Sequence, residues 1–249
     1  MINDLKKFIK LSLFKYFNLK ISVSKKNIFN NDKFPDDEII SILKETKGII
    51  HIGAHRGSER YIYDWFGKKV VWIEANPKIF EDLQINISEF KHQKAYNYLL
   101  HSKEGEEMDF YLSSNDGASS SIFDFSSDYK NKKIHFENKK RDIFMSKKIK
   151  LISKTLDNLI MEQNINVNNF DHLIIDVQGA ELEVLKGSLK FLKKCKTIYI
   201  EVSTAKFYES GSQWNDIKNF LNNSNFQEIR EPMKNHDDII FKKMNANNI

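Results

Sequence analysis

From residue 48 onward, short apolar runs that stop at a glycine or an acid alternate with longer stretches of helical spacing. "GIIHIGA", "KVVWIEANP", "KAYNYLLHS", "DHLIIDVQG" and "TIYIEVS" read as strands. "SERYIYDWF", "KIFEDLQINISEF", "AELEVLKGSLKFLKK" and "SQWNDIKNFLNNS" read as helices set between them. Strands that alternate with helices imply a parallel sheet covered on both faces. Two closing strands, "FQEIREP" and "DDIIFKK", are near enough in sequence to pair antiparallel. "EEMDFYLSS" adds a strand that forms either a hairpin or a sheet extension. Residues 113–150, rich in Ser, Asp, Asn and Lys, read as a long insertion, partly helical or mobile.

With 249 residues and no internal repeat, the simplest organisation is one domain, 48–249, behind an N-terminal helical extension, 1–47. Within the extension, "DDEIISILKET" (36–46) reads as a helix. Residues 1–20 set Leu5, Phe8, Ile9, Leu13, Phe14 and Phe17 at roughly helical spacing among lysines. Such a basic amphipathic helix is compatible with peripheral membrane contact, as it is with packing on its own domain or on a partner subunit. The oligomeric state stays open. The formal charge of +5, from 39 basic and 34 acidic side chains, is dispersed, so nucleic acid is not an expected partner. One cysteine, Cys195, excludes an internal disulfide and a cysteine-based zinc site and fits a reducing compartment. No run approaches the ~20 apolar residues of a membrane span, and Lys15 and Lys20 break up any signal-peptide core. The expected location is cytoplasmic.

In a parallel sheet of this kind, ligands bind at the C-terminal ends of the strands. Gly53 and Gly57 stand at the end of the first strand, where a sharp turn must bring backbone close to a ligand. The helix start beyond them offers N–H groups to an anion. Glu74 ends the next strand, placed to accept both hydroxyls of an adenosine ribose. A dinucleotide fingerprint needs a glycine where this chain has His55, whose side chain crowds a pyrophosphate. S-adenosylmethionine has no phosphate and needs only small residues and backbone groups near Gly53 and Ala54, so the turn favours the methyl donor over NAD.

"HIGAHRGSERYIYDWFGKKVVWIEANPKIFEDLQINI", "DGASSSI", "TLD" and "HLIIDVQGAELEVLKGSLKFL" followed by "IYIEVS" resemble the FkbM family of S-adenosylmethionine-dependent methyltransferases, in matching order over about 48–243. His51 and His55 replace the Asp and Asn of the family's commonest donor motif, D-x-G-A-N-x-G. The resemblance implies the class I methyltransferase fold: an α/β, Rossmann-like, seven-stranded mixed sheet with helices on both faces and the last strand antiparallel. It implies S-adenosyl-L-methionine as cofactor, held by His51, Gly53, Ala54, His55, Gly57, Glu74, Asn76 and Ser102. It also implies methyl transfer to an oxygen, with a glycan or small-molecule hydroxyl as acceptor.

Asp176 is the sharpest catalytic candidate. Three apolar residues lead into it at a strand tip, where it can take a proton from an acceptor hydroxyl, hold a divalent ion or cap the following helix. A metal ion is not predicted. Glu181 reads as a partner of that helix's dipole. His236, a second catalytic candidate, and Asp238, a substrate contact, are placed at the last strand by the family branch. Glu201 and the loop hydroxyls Ser119, Ser120 and Ser121 complete the expected substrate side. Two other classes stay open: a catalytically silent nucleoside- or partner-binding module, motivated by His51 and His55, and an NAD-dependent enzyme.

Overall fold

The computed structural model describes residues 37–132 and 143–244. The chain divides into two compact units, 1–42 and 43–249. The basic N-terminal segment 1–20 lies outside the described residues, as does 133–142 of the expected insertion. After α1 (Asp37–Glu45), the second unit runs β1 (Gly48–Ile52), α2 (Arg60–Trp65), β2 (Lys69–Glu74), α3 (Pro77–Ile87), β3 (Gln93–Asn97), β4 (Leu99–Leu100) and β5 (Glu107–Ser113). It continues α4 (Ser127–Lys132), β6 (Met145–Lys154), α5 (Leu156–Glu162), β7 (His172–Ile175), α6 (Glu181–Lys186), α7 (Leu189–Leu192) and β8 (Thr197–Ser203). It closes with α8 (Trp214–Asn223), β9 (Phe226–Glu228) and β10 (His236–Lys243). Among the described residues, no helix is long and apolar enough to cross a membrane.

Seven strands form the main sheet in the order β3-β2-β1-β7-β8-β10-β9. The pairs from β3 to β8 are parallel, whereas β10 runs antiparallel to both β8 and β9. The two expected closing strands thus pair as the sequence implied. The strand order reverses between β1 and β7, the place where such sheets leave a crevice at their C-terminal ends. Ile50, Ile52, Leu173, Ile175, Ile198 and Ile200 fill the core across this centre and are almost wholly buried. Near-continuous apolar runs of this kind are what strands covered on both faces require.

Three elements differ from the sequence reading. "KAYNYLLHS" is not one strand: β3 stays in the main sheet, while Leu99–Leu100 leave it to pair with β6 in a second sheet, β4-β6-β5. β6 itself lies partly in the supposed insertion and pairs antiparallel with β5 over seven residues. Lys147, Lys148 and Lys150 sit on exposed positions and hide the strand pattern in "MSKKIKLISK". "AELEVLKGSLKFLKK" breaks at Gly187, where a side chain would fall 2.3 Å from the His101 carbonyl oxygen. The close passage of that neighbouring segment splits the helix into α6 and α7.

Candidate active site

The tips of β1, β2, β3 and β7 surround a cavity of about 250 Å³. Gly53 and His55 line it from β1, Glu74 from β2, and Asp176 and Gln178 from β7; Leu99, Leu100 and Phe110 supply apolar wall. The loop through Gly117, Ala118 and Ser120 lines it as well.

Glu74 is held in place by the backbone. Its Oε1 accepts from the Asn76 N–H and its Oε2 from the His55 N–H, both at 2.8 Å. Burial raises the carboxyl's pKa, against the pull of these two bonds. A carboxylate has about four acceptor positions, so two remain for a ligand's paired hydroxyls. The loop amides are otherwise committed. Gly53 and Ala54 both donate to the Ile73 carbonyl, and Gly57 donates to Ala54. With the His55 amide on Glu74, these four N–H groups are turned into the protein rather than toward a pyrophosphate. The two glycines answer to the chain itself: a side chain at Gly53 would meet the Asp176 carbonyl, and one at Gly57 the Leu83 methyl at 2.7 Å.

Other expected donor-side residues do not line the cavity. His51 sits in the core, hydrogen-bonded through Nδ1 to the Tyr63 hydroxyl at 3.2 Å and stacked on Trp72 at 4.9 Å. Burial, with a smaller push from His172, drops its pKa to about 3, so it is a neutral packing residue. Asn76 caps α3, accepting from Lys78 N at 3.1 Å and Ile79 N at 3.5 Å. Ala54 is buried in the loop. Ser102 donates to Glu183 beside α6. Sequence reasoning missed Tyr98, Leu99, Leu100 and Gln178 as cavity residues. The rule that every parallel strand tip faces the crevice could have found Tyr98, Leu99 and Leu100, had the end of β3 been placed correctly.

Around the β7 and β8 tips, Asp176, Gln178, Glu201, His236 and Asp238, expected as catalytic or substrate residues save for Gln178, come together. Gln178 Nε2 donates to Asp176 Oδ1 at 2.7 Å and to Glu201 Oε2 at 2.5 Å. His236 Nε2 lies 2.7 Å from Glu201 Oε1, and its Nδ1 is 2.9 Å from the Ser203 hydroxyl. Asp238 stands opposite Glu201 in the β8–β10 register. Burial raises the Asp176 pKa, moderated by hydrogen bonds from Glu201 and Gln178. Glu201 is pushed well above the carboxylate range by burial and then by the charges of Asp176 and Glu181. Among the described residues, no group of three or more His, Cys, Asp and Glu side chains is arranged to hold a metal ion.

Asp176 caps no helix, because α6 starts at Glu181 behind Ala180. Glu181 turns back instead, its Oε1 accepting from Gly179 N at 3.0 Å and Val177 N at 3.2 Å. Burial raises its pKa from 4.5 to about 7. A carboxyl that binds its proton more tightly when folded stabilises the fold fully below the open-chain pKa, and that stabilisation is lost as the pH rises through 7. The stability of the wild type relative to Glu181→Gln is therefore expected to fall by about 2–3 kcal/mol between pH 5 and pH 8. Urea unfolding of both proteins at the two pH values checks this, and a constant difference refutes it.

The expected substrate hydroxyls are spent on the loop. Ser119 Oγ accepts from Asn115 Nδ2, Ser120 Oγ from Ser113 N, and Ser121 Oγ donates to the Gln178 carbonyl. Arg56 then ties the loop to the donor turn, reaching both Asp116 oxygens at 2.5 and 3.1 Å, and His55 Nε2 donates to the Asp116 carbonyl at 3.0 Å. "DGASSSI" is a roof fastened on two sides of the cavity.

A mixed seven-stranded sheet with a single reversed strand, an acid at the β2 tip and a crevice between β1 and β7 defines the class I methyltransferase fold. The methyltransferase FkbM domain model matches residues 51–237, most of the chain, and the protein belongs to that family. The chain is 25% identical over 175 residues to the 2-O-methyltransferase NoeI of Sinorhizobium fredii (strain NBRC 101917 / NGR234), covering 69% of this chain and 70% of that one. Among solved structures it is similar to the magnesium protoporphyrin IX methyltransferase of Synechocystis PCC 6803 with bound SAM, at 10% identity and a TM-score of 0.43, covering 84% of this chain and 77% of that one. It is also similar to a TehB-like SAM-dependent methyltransferase of Corynebacterium glutamicum, at 9% identity and a TM-score of 0.41, covering 97% of both chains.

Proposed function

We propose that this methyltransferase moves the methyl group of S-adenosylmethionine to a hydroxyl oxygen of a sugar or similar small acceptor. The observation that carries the proposal is one cavity lined by a backbone-anchored carboxylate, Glu74, at one side and by Asp176 at the other, with Glu201 joined to Asp176 through Gln178. The donor set fits the cofactor: Glu74 keeps two acceptor positions for a ribose diol, and Leu99, Leu100 and Phe110 offer an apolar wall to a base. The turned-in loop amides suit a ligand without phosphate. When bound, S-adenosylmethionine supplies a methyl on a positively charged sulfur, and the bond electrons return to that sulfur as the acceptor oxygen attacks. The chain's task is then to align the oxygen and remove its proton. Asp176, the member of the pair that lines the cavity, receives that proton. Glu201 is held by Gln178 and His236 and tied to Asp176 through the Gln178 amide, with Asp238 opposite it in the β8–β10 register. The NoeI relative is named for 2-O-methyl transfer, which supports oxygen as the acceptor atom.

Calorimetry tests the donor half. S-adenosylhomocysteine is expected to bind in the micromolar range and NAD not at all; the opposite pattern overturns the cofactor. Glu74→Ala is expected to weaken that binding by about 1.5–3 kcal/mol, the scale of losing hydrogen bonds to a charged group. The variant also releases the His55 and Asn76 amides, so circular dichroism must show the fold intact. Labelled S-adenosylmethionine offered with methyl hexosides and their 2-deoxy analogues tests the acceptor half. Methylation of amine acceptors alone would refute oxygen transfer.

A further inference from the structure

Gln178 occupies a position whose backbone and side chain are both committed. Its φ of 57° lies in the left-handed region, which a non-glycine residue adopts at a cost of order 1 kcal/mol. The backbone is held there by Ser121 Oγ, which donates to the Gln178 carbonyl at 2.7 Å. The side-chain amide then spans the two acids, one hydrogen of Nε2 on Asp176 and the other on Glu201. Behind it the Tyr208 hydroxyl lies 2.8 Å from Gln178 Oε1 and 3.2 Å from the Ser119 carbonyl, and the shorter contact favours the amide oxygen facing the tyrosine. Two buried carboxyl groups within hydrogen-bond reach of each other repel when both ionise, and such a pair keeps one proton between them.

We propose that Gln178 is a positioning residue: its amide clamps Asp176 and Glu201 into one proton-sharing pair aimed at the acceptor. The inference rests on the methyl-transfer reading for its purpose, although the clamp itself is a property of the free protein. Other titratable groups face the pair from the surrounding elements. They are Glu181 from α6, His236 and Asp238 from β10, Tyr208 from the loop after β8, Glu74 from β2 and Glu59 ahead of α2. Both hydrogen bonds from Gln178 favour the ionised form, so its removal must raise the pH at which the pair first loses a proton.

Carboxyl ¹³C NMR titration of the purified protein, with signals assigned through Asp176→Asn and Glu201→Gln, reads this without any acceptor. In the wild type, Asp176 and Glu201 are expected to titrate together in two separated steps. In Gln178→Gly, whose backbone suits the left-handed conformation, the lower step is expected to move up by about one pH unit. Tyr208→Phe leaves the amide in place but unfixed, and should move the same step in the same direction by less. It supplies the answer if the glycine variant fails to fold. A role confined to backbone shape would leave the step where it is. Independent titration of the two acids in the wild type overturns the proposal, as does a lower step unmoved in the folded variants. Failure of the wild type to methylate any hydroxyl refutes the proposed function instead, and leaves the titration result standing.

Discussion

Asp176→Asn is expected to fold, to bind S-adenosylhomocysteine within about threefold of the wild type, and to transfer methyl groups roughly 10²–10⁴-fold more slowly, the range typical of losing a general base. The substitution removes a charge and little else. An asparagine oxygen can still accept from Gln178, and its amide can donate to Glu201. In the proposed function the donor is anchored by Glu74 on β2, away from the change. Helix capping does not confuse the outcome, because Asp176 caps nothing and the turn into α6 is organised by Glu181. Donor affinity and transfer rate must be measured on the same preparation. Turnover within twofold of the wild type would remove Asp176 from the chemistry.

The second large effect concerns the floor of the same crevice. Gly53→Ala is expected to destabilise the protein by roughly 3–5 kcal/mol, from a left-handed backbone and an overlap that side-chain motion cannot relieve. The added carbon would lie 1.7 Å from the Asp176 carbonyl oxygen and 2.6 Å from its carbonyl carbon, at a φ of 80°. Both obstacles are backbone, so β1 and β7 would have to separate. Gly67 is the control: its φ is 63° and nothing lies within 4 Å of an added carbon, so Gly67→Ala should cost only about 1 kcal/mol. Chemical denaturation of the two variants separates the contributions. Equal costs would mean that the close approach of the two strands is not what demands glycine.

Much of this arrangement was legible in the residues. The strands β1, β2, β7 and β8 are apolar runs because both their faces are covered, and their tips carry Gly53, Glu74, Asp176 and Glu201 in view. What misled was chemistry that depends on neighbours far away in sequence. His51 looks like a ligand contact until Tyr63 and Trp72 close around it. Ser119, Ser120 and Ser121 look like substrate hydroxyls until they are seen holding their own loop and the carbonyl of Gln178. Gly53 looks like space left for a ligand, but the space belongs to residue 176. Gln178 was passed over because nothing local marks a glutamine as a bridge; both acids it joins and the tyrosine behind it must first be placed. β6 was missed for a simpler reason, since its outward lysines mimic a solvated loop.

The reversed strand β10 has a consequence for how the molecule comes into being. It is the last described strand to be synthesised, yet it lies inside the sheet, between β8 and β9. A nascent chain therefore meets its donor-side parts, the turn at Gly53 and the acid at Glu74, long before His236 and Asp238 emerge. Until β10 slides in, the inner edge of β8 stays open, with unpaired backbone groups available to any other strand. Completion of the sheet and the meeting of Glu201 with His236 are then the same event.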